Sequence, residues 1–217
     1  MIYKDNEILI RPYEVKDRAA IRSINYETSF LHKPHLFFDD PEIVADALTG
    51  YYTDHEPGSC FVAQAGGEVI GYIIGTLDIS RMRREAPFKI FVPLLFKAIA
   101  RGTFLNKKTY RFLVNVLRSH FKGEFVVPDF AGQYPSTFHI NVRDGFRGQK
   151  VGNRLILTVI RLLQSNHVRG VQFSTMSGEP TEFFQGLGFH IIYQSRRSFL
   201  KYALGFETPF YLFGMAT

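Results

Sequence analysis

The stretch that most restricts the fold is His139-Ile-Asn-Val-Arg-Asp-Gly-Phe-Arg-Gly-Gln-Lys-Val-Gly-Asn153. Apolar residues at alternate positions over Ser136–Arg143 predict a strand. Residues 144–150 form a Gly/Arg/Lys-rich loop, and the stripe Val151, Leu155, Val159 and Leu162 predicts a helix to about Ser165. A strand that turns through glycines straight into a helix aims successive backbone N–H groups, and the positive end of the helix dipole, at one point beyond the strand. An anion fits there, most naturally a pyrophosphate. The loop is not a GxxxxGK[ST] phosphate loop, and it lacks the spaced GxGxxG of dinucleotide folds.

Elements of both kinds surround this segment. Residues 7–13 (EILIRPY) read as a strand, Val15–Ile24 as a helix, and 25–38 as an irregular, aromatic stretch. Asp40-Pro41 reads as an N-cap followed by a first-turn proline, opening a helix to about Tyr52 with Ile43, Ala47 and Tyr51 on one face. Cys60–Ala65 and Glu68–Asp78 are strands joined by Gly66-Gly67, a two-residue hairpin signal. Ile90–Ala100 and Tyr110–Phe121 have helical spacing, and Pro128–Pro135 is a loop. Gly170–Met176 is a strand, Pro180–Leu187 a short helix stopped by Gly188, and Phe189–Ser198 and Pro209–Met215 are final strands. This order predicts one mixed α/β domain, its sheet covered on both faces.

At 46% hydrophobic and 21% charged residues, wholesale disorder is excluded. The longest unbroken apolar run, Ile90–Phe96, is too short to span a bilayer, and the charged start Met1-Ile2-Tyr3-Lys4-Asp5 is unlike a signal peptide. Cys60 is the single cysteine, which removes disulfides and cysteine zinc sites; no metal is expected. The default expectation is a soluble protein of the reducing cytoplasm. Residues 81–122 carry a net charge of +10 and the rest of the chain −4, so the basicity belongs to one segment.

Four segments carry a family resemblance. Arg147-Gly148-Gln149-Lys150-Val151-Gly152 resembles the coenzyme A loop, Arg/Gln-x-x-Gly-x-Gly/Ala, of the GNAT superfamily of acyl-CoA-dependent N-acyltransferases. Val142 matches the apolar residue that precedes that loop in the family, and Phe183-Phe184-Gln185-Gly186-Leu187-Gly188-Phe189 is similar to its later Phe-Tyr-x-x-Leu-Gly-Phe signature. IRPYEVKDRAAI (10–21) and CFVAQAGGEVIGYIIG (60–75) resemble its opening strand-helix and central hairpin. The resemblance implies a GNAT-like, mostly antiparallel sheet flanked by helices over 1–217. A basic helical insert, 81–128, would lie between the hairpin and the coenzyme strand.

By that resemblance, the protein transfers an acetyl or other short acyl group from acetyl-CoA to a primary amine by direct attack in a ternary complex. The implied coenzyme residues are Ile140, Asn141, Val142, Arg147, Gly148, Gln149, Lys150, Val151, Gly152, Asn153, Ser177 and Phe184. Three depart from the family pattern: Lys150 replaces a glycine, Phe184 a proton-donating tyrosine, and Ser177 a frequent asparagine. His139 is the candidate base, set against a histidine turned to the other face and bonded under a helix. Tyr134 is the candidate replacement acid, set against a residue that merely caps the loop with Pro135.

Asp54-His55-Glu56, or Tyr26, Glu27, His32 and His35, could line an acceptor entrance, or could be an ordinary polar turn and a packed loop. Cys60 lacks anything nearby to support a thiolate and reads as core. YPSTFHINV (134–142) also resembles acetyltransferase-like domains attached to some glycoside-processing enzymes, which implies an amino-sugar or small-molecule acceptor. The alternatives are a coenzyme-binding regulatory module with little turnover and a basic module for polyanions. No nucleic-acid module is recognisable. A peripheral membrane contact through the insert and a homodimer stay open.

Overall fold

In the computed structural model, which describes residues 8–178 and 181–217, seven strands form one sheet in the order β1-β2-β3-β4-β5-β7-β6. They are β1 (Ile8–Pro12), β2 (Phe61–Ala65), β3 (Glu68–Thr76), β4 (Ser136–Val142), β5 (Gly170–Thr175), β6 (His190–Arg197) and β7 (Thr208–Ala216). Gly66 and Gly67 both take positive φ, 55° and 87°, and fold β2 onto β3 with Ala65 opposite Glu68. Every pairing is antiparallel except β4 with β5.

Strand alternation separates two faces. Phe138, Ile140 and Val142 of β4 point with Ile73, Phe173 and Phe213 toward α6 (Val151–Ser165), whose Leu155, Ile156, Val159 and Leu163 complete that core. Tyr72 and Ile74 point the other way, onto Ile21 and Ile24 of α1 (Arg18–His32). A third, aromatic cluster of Phe37, Phe199 and Leu200 is flanked by Phe30, Phe38, Phe112 and Tyr202.

The helices depart from the sequence reading in several places. Regular helix in α1 runs past Ile24 to about Thr28; it ends because Phe30, Leu31 and His32 take left-handed φ of 51°, 57° and 61°. Helix α2 (Pro41–His55) begins as expected, with Asp40 accepting from the Glu42 and Ile43 amides. Its buried residues are Val44, Ala45, Thr49, Gly50, Tyr51 and Thr53, so Tyr51 of the expected face is buried while Ile43 and Ala47 are only half-buried. The strand and helix starts expected at Glu7 and Pro180 lie outside the described residues. Helices α7 (Thr181–Gly186) and α8 (Lys201–Leu204) follow β5 and β6.

The basic segment starts earlier than its apolar spacing suggests. Helix α3 (Ile79–Ala86) is capped by Asp78, whose carboxylate accepts from the Arg81 amide at 2.9 Å. It runs through a π-helical turn at Pro87–Phe91 into α4 (Val92–Ala100), and α5 (Lys107–Phe121) follows. Many of its cations are not solvated at large but paired to acids of the body. Arg101 binds Asp40 at 2.6 Å, Lys97 binds Asp46 at 2.8 Å and Glu42 at 3.1 Å, Arg81 binds Glu56 at 2.9 Å, and Lys108 binds Asp39.

Candidate active site

Strands β4 and β5 are paired only at Ser136–Val171 and Thr137–Gln172. Beyond that, β4 stays on β3 as far as Val142 while β5 stays on β7, so the sheet splits open. The Arg143 amide donates to the Ile70 carbonyl at 2.9 Å. Antiparallel alternation therefore turns the backbone of Asn141 toward β3 and that of Ile140 and Val142 into the gap. The gap thus has one strand edge with N–H and C=O groups facing an open side.

At its far end lies the loop singled out by the sequence. Helix α6 has no side-chain N-cap, and its intrahelical ladder starts with Arg154 N–H on the Lys150 carbonyl at 3.0 Å. The amides of Val151, Gly152 and Asn153 therefore have no intrahelical acceptor. Lys150 takes φ +58° and Gly148 φ +79°, so the position where the family places a glycine does need a left-handed residue. Gln149 Oε1 and Asn153 Oδ1 are buried without partners. The loop and the first turn of α6 carry Arg147, Lys150 and Arg154 against Asp144, while Arg143, at the end of β4, lies 3.8 Å from Glu27. A pyrophosphate fits the amides and cations, and the orphaned amide oxygens suit a ligand that also carries N–H and O–H donors.

Arg147 is engaged by two side chains. Its Nε meets Asp144 at 3.0 Å and its Nη2 lies 2.9 Å from His32 Nε2. The left-handed turn at 30–32 thereby joins the α1 side to the phosphate loop. Sequence reasoning did not find this link, since consecutive non-glycine residues with positive φ carry no pattern of their own.

On the α1 face, His139 sits in a polar frame. Asn25 and Asn141 donate their amide N–H groups to the Tyr72 hydroxyl at 2.8 and 2.7 Å. The same two amides lie 3.4 Å from His139 Nδ1 and 3.3 Å from its Nε2. Burial lowers the His139 pKa to about 4, which keeps the imidazole neutral. Asn25 and Tyr72 were missed in the sequence. The available signal was a polar residue next to the buried stripe Ile21–Ile24, and it needed the β3–β4 register to acquire meaning.

The structure does not gather Tyr134 with His139. Tyr134 precedes the opposite end of β4 from the loop, its hydroxyl lies 3.0 Å from His190 Nε2, and its ring covers Gly214. Phe184 is buried among Phe173, Phe189 and Phe213. Ser177 follows β5 at the open end of the gap, its amide donating to Thr175 Oγ1 at 3.1 Å. Cys60 is buried, and burial pushes its thiol up to about 12, which removes it as a nucleophile at neutral pH. Among the described residues, no cluster of His, Cys, Asp and Glu could hold a metal ion.

A crystal structure of SsHAT superposes with a TM-score of 0.72 at 24% identity, over 97% of this chain and 98% of that one. The fold is that of the GNAT N-acetyltransferases. A Drosophila melanogaster polyamine N-acetyltransferase, described as forming N-acetylagmatine, follows with a TM-score of 0.60 at 17% identity, over 97% of this chain and 100% of that one. A GCN5-related N-acetyltransferase from Kribbella flavida matches with a TM-score of 0.59 at 13% identity, over 99% and 100%. No family model matches the chain. Among curated proteins it is 21% identical to protein O-GlcNAcase of Mus musculus over 182 residues, 82% of this chain. The chain spans about a fifth of the length of that relative and of its Rattus norvegicus counterpart.

Proposed function

We propose that this protein is an N-acetyltransferase that moves an acetyl group from acetyl-CoA to a primary amine of a small molecule or protein, by direct attack in a ternary complex. The observation that carries the reading is the split between β4 and β5, which runs to the uncapped first turn of α6. In this reading the amides from Gly148 to Asn153, with Arg147 and Lys150, hold the pyrophosphate. The exposed edge at Ile140 and Val142 holds the pantetheine arm as an added strand. A backbone N–H of that edge polarises the thioester carbonyl. Phe184 and Ser177 close the α6 side and the mouth of the slot.

His139 receives the amine proton. Held neutral by burial, it keeps one ring nitrogen unprotonated across the working pH range, and as a weak base it passes the proton on to water. With Phe184 apolar and Tyr134 held at His190, the departing thiolate takes its proton from solvent.

The test is an acetyl-CoA titration followed by melting temperature, with thiol release over a panel of amines that includes agmatine, spermidine and glucosamine. Stabilisation and release on at least one amine are expected, with Arg147→Glu weakening the coenzyme about tenfold. No stabilisation by acetyl-CoA sinks the reading. The phenylalanine at 184 favours a second reading, a coenzyme-binding module with little turnover. Stabilisation without release on any amine would select it.

A further inference from the structure

The π-helical turn with α4, and then α5, each leave an apolar stripe uncovered. Phe88, Phe91, Val92, Leu95, Phe96 and Ile99 follow one another at steps of three and one residues, and all are exposed, Phe88 at 75% and Phe96 at 67%. Their neighbours Ile90, Leu94 and Ala98 are the ones turned inward. Leu105, at the turn into α5, is 89% exposed. On α5 a second stripe, Tyr110, Leu113, Leu117 and Phe121, also faces outward. Two stripes this apolar need a partner.

The charge around it selects the partner. Residues 86–123 contain eight Lys and Arg and no Asp or Glu. Lys97, Arg101 and Lys108 are spent on acids of the body. Arg84, one turn before Phe88, and Lys107 and Arg118, beside the α5 stripe, have no ion-pair partner among the described residues. A second copy meeting this face symmetrically would set cations against cations with no acid of either stretch between them. An anionic bilayer surface accepts both halves of the pattern: aromatic and aliphatic side chains enter the headgroup boundary, and the cations meet lipid phosphates and carboxylates. No helix among the described residues is long and apolar enough to cross a membrane, so the contact is one of lying on the surface. We propose that the apolar stripes of α4 and α5 dock the protein reversibly on anionic lipid membranes. The inference is independent of the acetyltransferase reading.

The test is co-sedimentation of the full chain with vesicles of phosphatidylcholine alone and of phosphatidylcholine with about 30% phosphatidylserine. Binding to the mixed vesicles is expected to be at least tenfold tighter than to the neutral ones, and to fall steeply between roughly 0.05 and 0.5 M salt. The triple variant Phe91→Ser, Phe96→Ser, Ile99→Ser should lose binding with an unchanged melting temperature, because these side chains are exposed. Arg84→Glu, Lys107→Glu, Arg118→Glu together should lose the preference for anionic lipid. Absence of binding to the mixed vesicles overturns the proposal, as does binding that survives both triple variants. Sedimentation velocity closes the remaining route: a dimer that the serine variant dissociates, without vesicle binding by the parent, assigns the face to a second copy instead.

Discussion

Lys150 carries two opposed effects in one side chain. Its φ of +58° places it where a Cβ is disfavoured, at a cost of about 1 kcal/mol relative to glycine. Its ammonium adds charge beside the amides of α6. Lys150→Gly is therefore expected to raise the melting temperature by about 3 °C. Acetyl-CoA affinity should fall a few-fold, and that loss should shrink at high salt because it is electrostatic. Paired thermal melts and titrations at low and high salt check both signs. A variant that melts lower, or binds tighter, would show that the turn has another origin. His139 makes a second prediction at this scale. Its folded pKa of about 4 lies below the ordinary histidine value near 6.5, so between those limits the unfolded chain binds a proton that the native one does not. Stability supplied here is intact above pH 6.5 and is lost as the pH falls toward 4. His139→Leu should flatten that part of the profile, measured as urea midpoints at pH 7.5 and 4.5.

At the scale of elements, the gap depends on how closely β3 holds β4. A Cβ on Gly75 would stand 2.6 Å from the Thr137 carbonyl oxygen, at the point where β4 parts from β5. Gly75→Ala should cost about 2 kcal/mol and speed amide exchange in β4, since one backbone has to move. Gly58→Ala, with open space around its Cβ, is the neutral control. The same strands show what a sequence exposes and what it hides. The Gly66-Gly67 turn, the α6 stripe and the Asp40 cap are local, so spacing and turn chemistry reveal them, and the phosphate loop with them. The facing of Tyr72 and Asn141 is set by a register between residues 69 apart, and only packing decides it. The left-handed run Phe30–His32 opposes local preference outright. It persists because Phe30 packs on Phe37, Phe38 and Phe112, with ring centroids 5.3–5.9 Å apart, a contact invisible before the fold exists. Apolar spacing placed α4 and α5 but could not say which of their faces would be covered.

Over the whole molecule, the basic helical segment is bound to the body by its charge. Asp46 of α2 is the junction: Arg22 of α1 and Lys97 of α4 both donate to it, so one carboxylate ties three helices. Burial pushes its pKa up, but the hydrogen bonds from Lys97 and Arg22 outweigh that and hold it below the usual carboxylate range. Asp46→Asn leaves two half-buried cations near each other without their anion. The expected loss is about 2 kcal/mol, between the values for exposed and for buried pairs. With a depressed folded pKa, the wild-type contribution is complete above the unfolded value near 4 and disappears as the pH drops through the folded one. The difference in stability between wild type and Asp46→Asn should therefore be constant from pH 8 to 5 and close at more acid pH. Glu42→Gln, on the same helix with a more exposed carboxylate, should cost less than about 0.5 kcal/mol. Equal losses in the two variants would mean that the segment is held by its apolar contacts alone. A large loss confined to Asp46, with faster amide exchange in α4, would show that the cations bind this segment to the body, which is what leaves its apolar side facing outward.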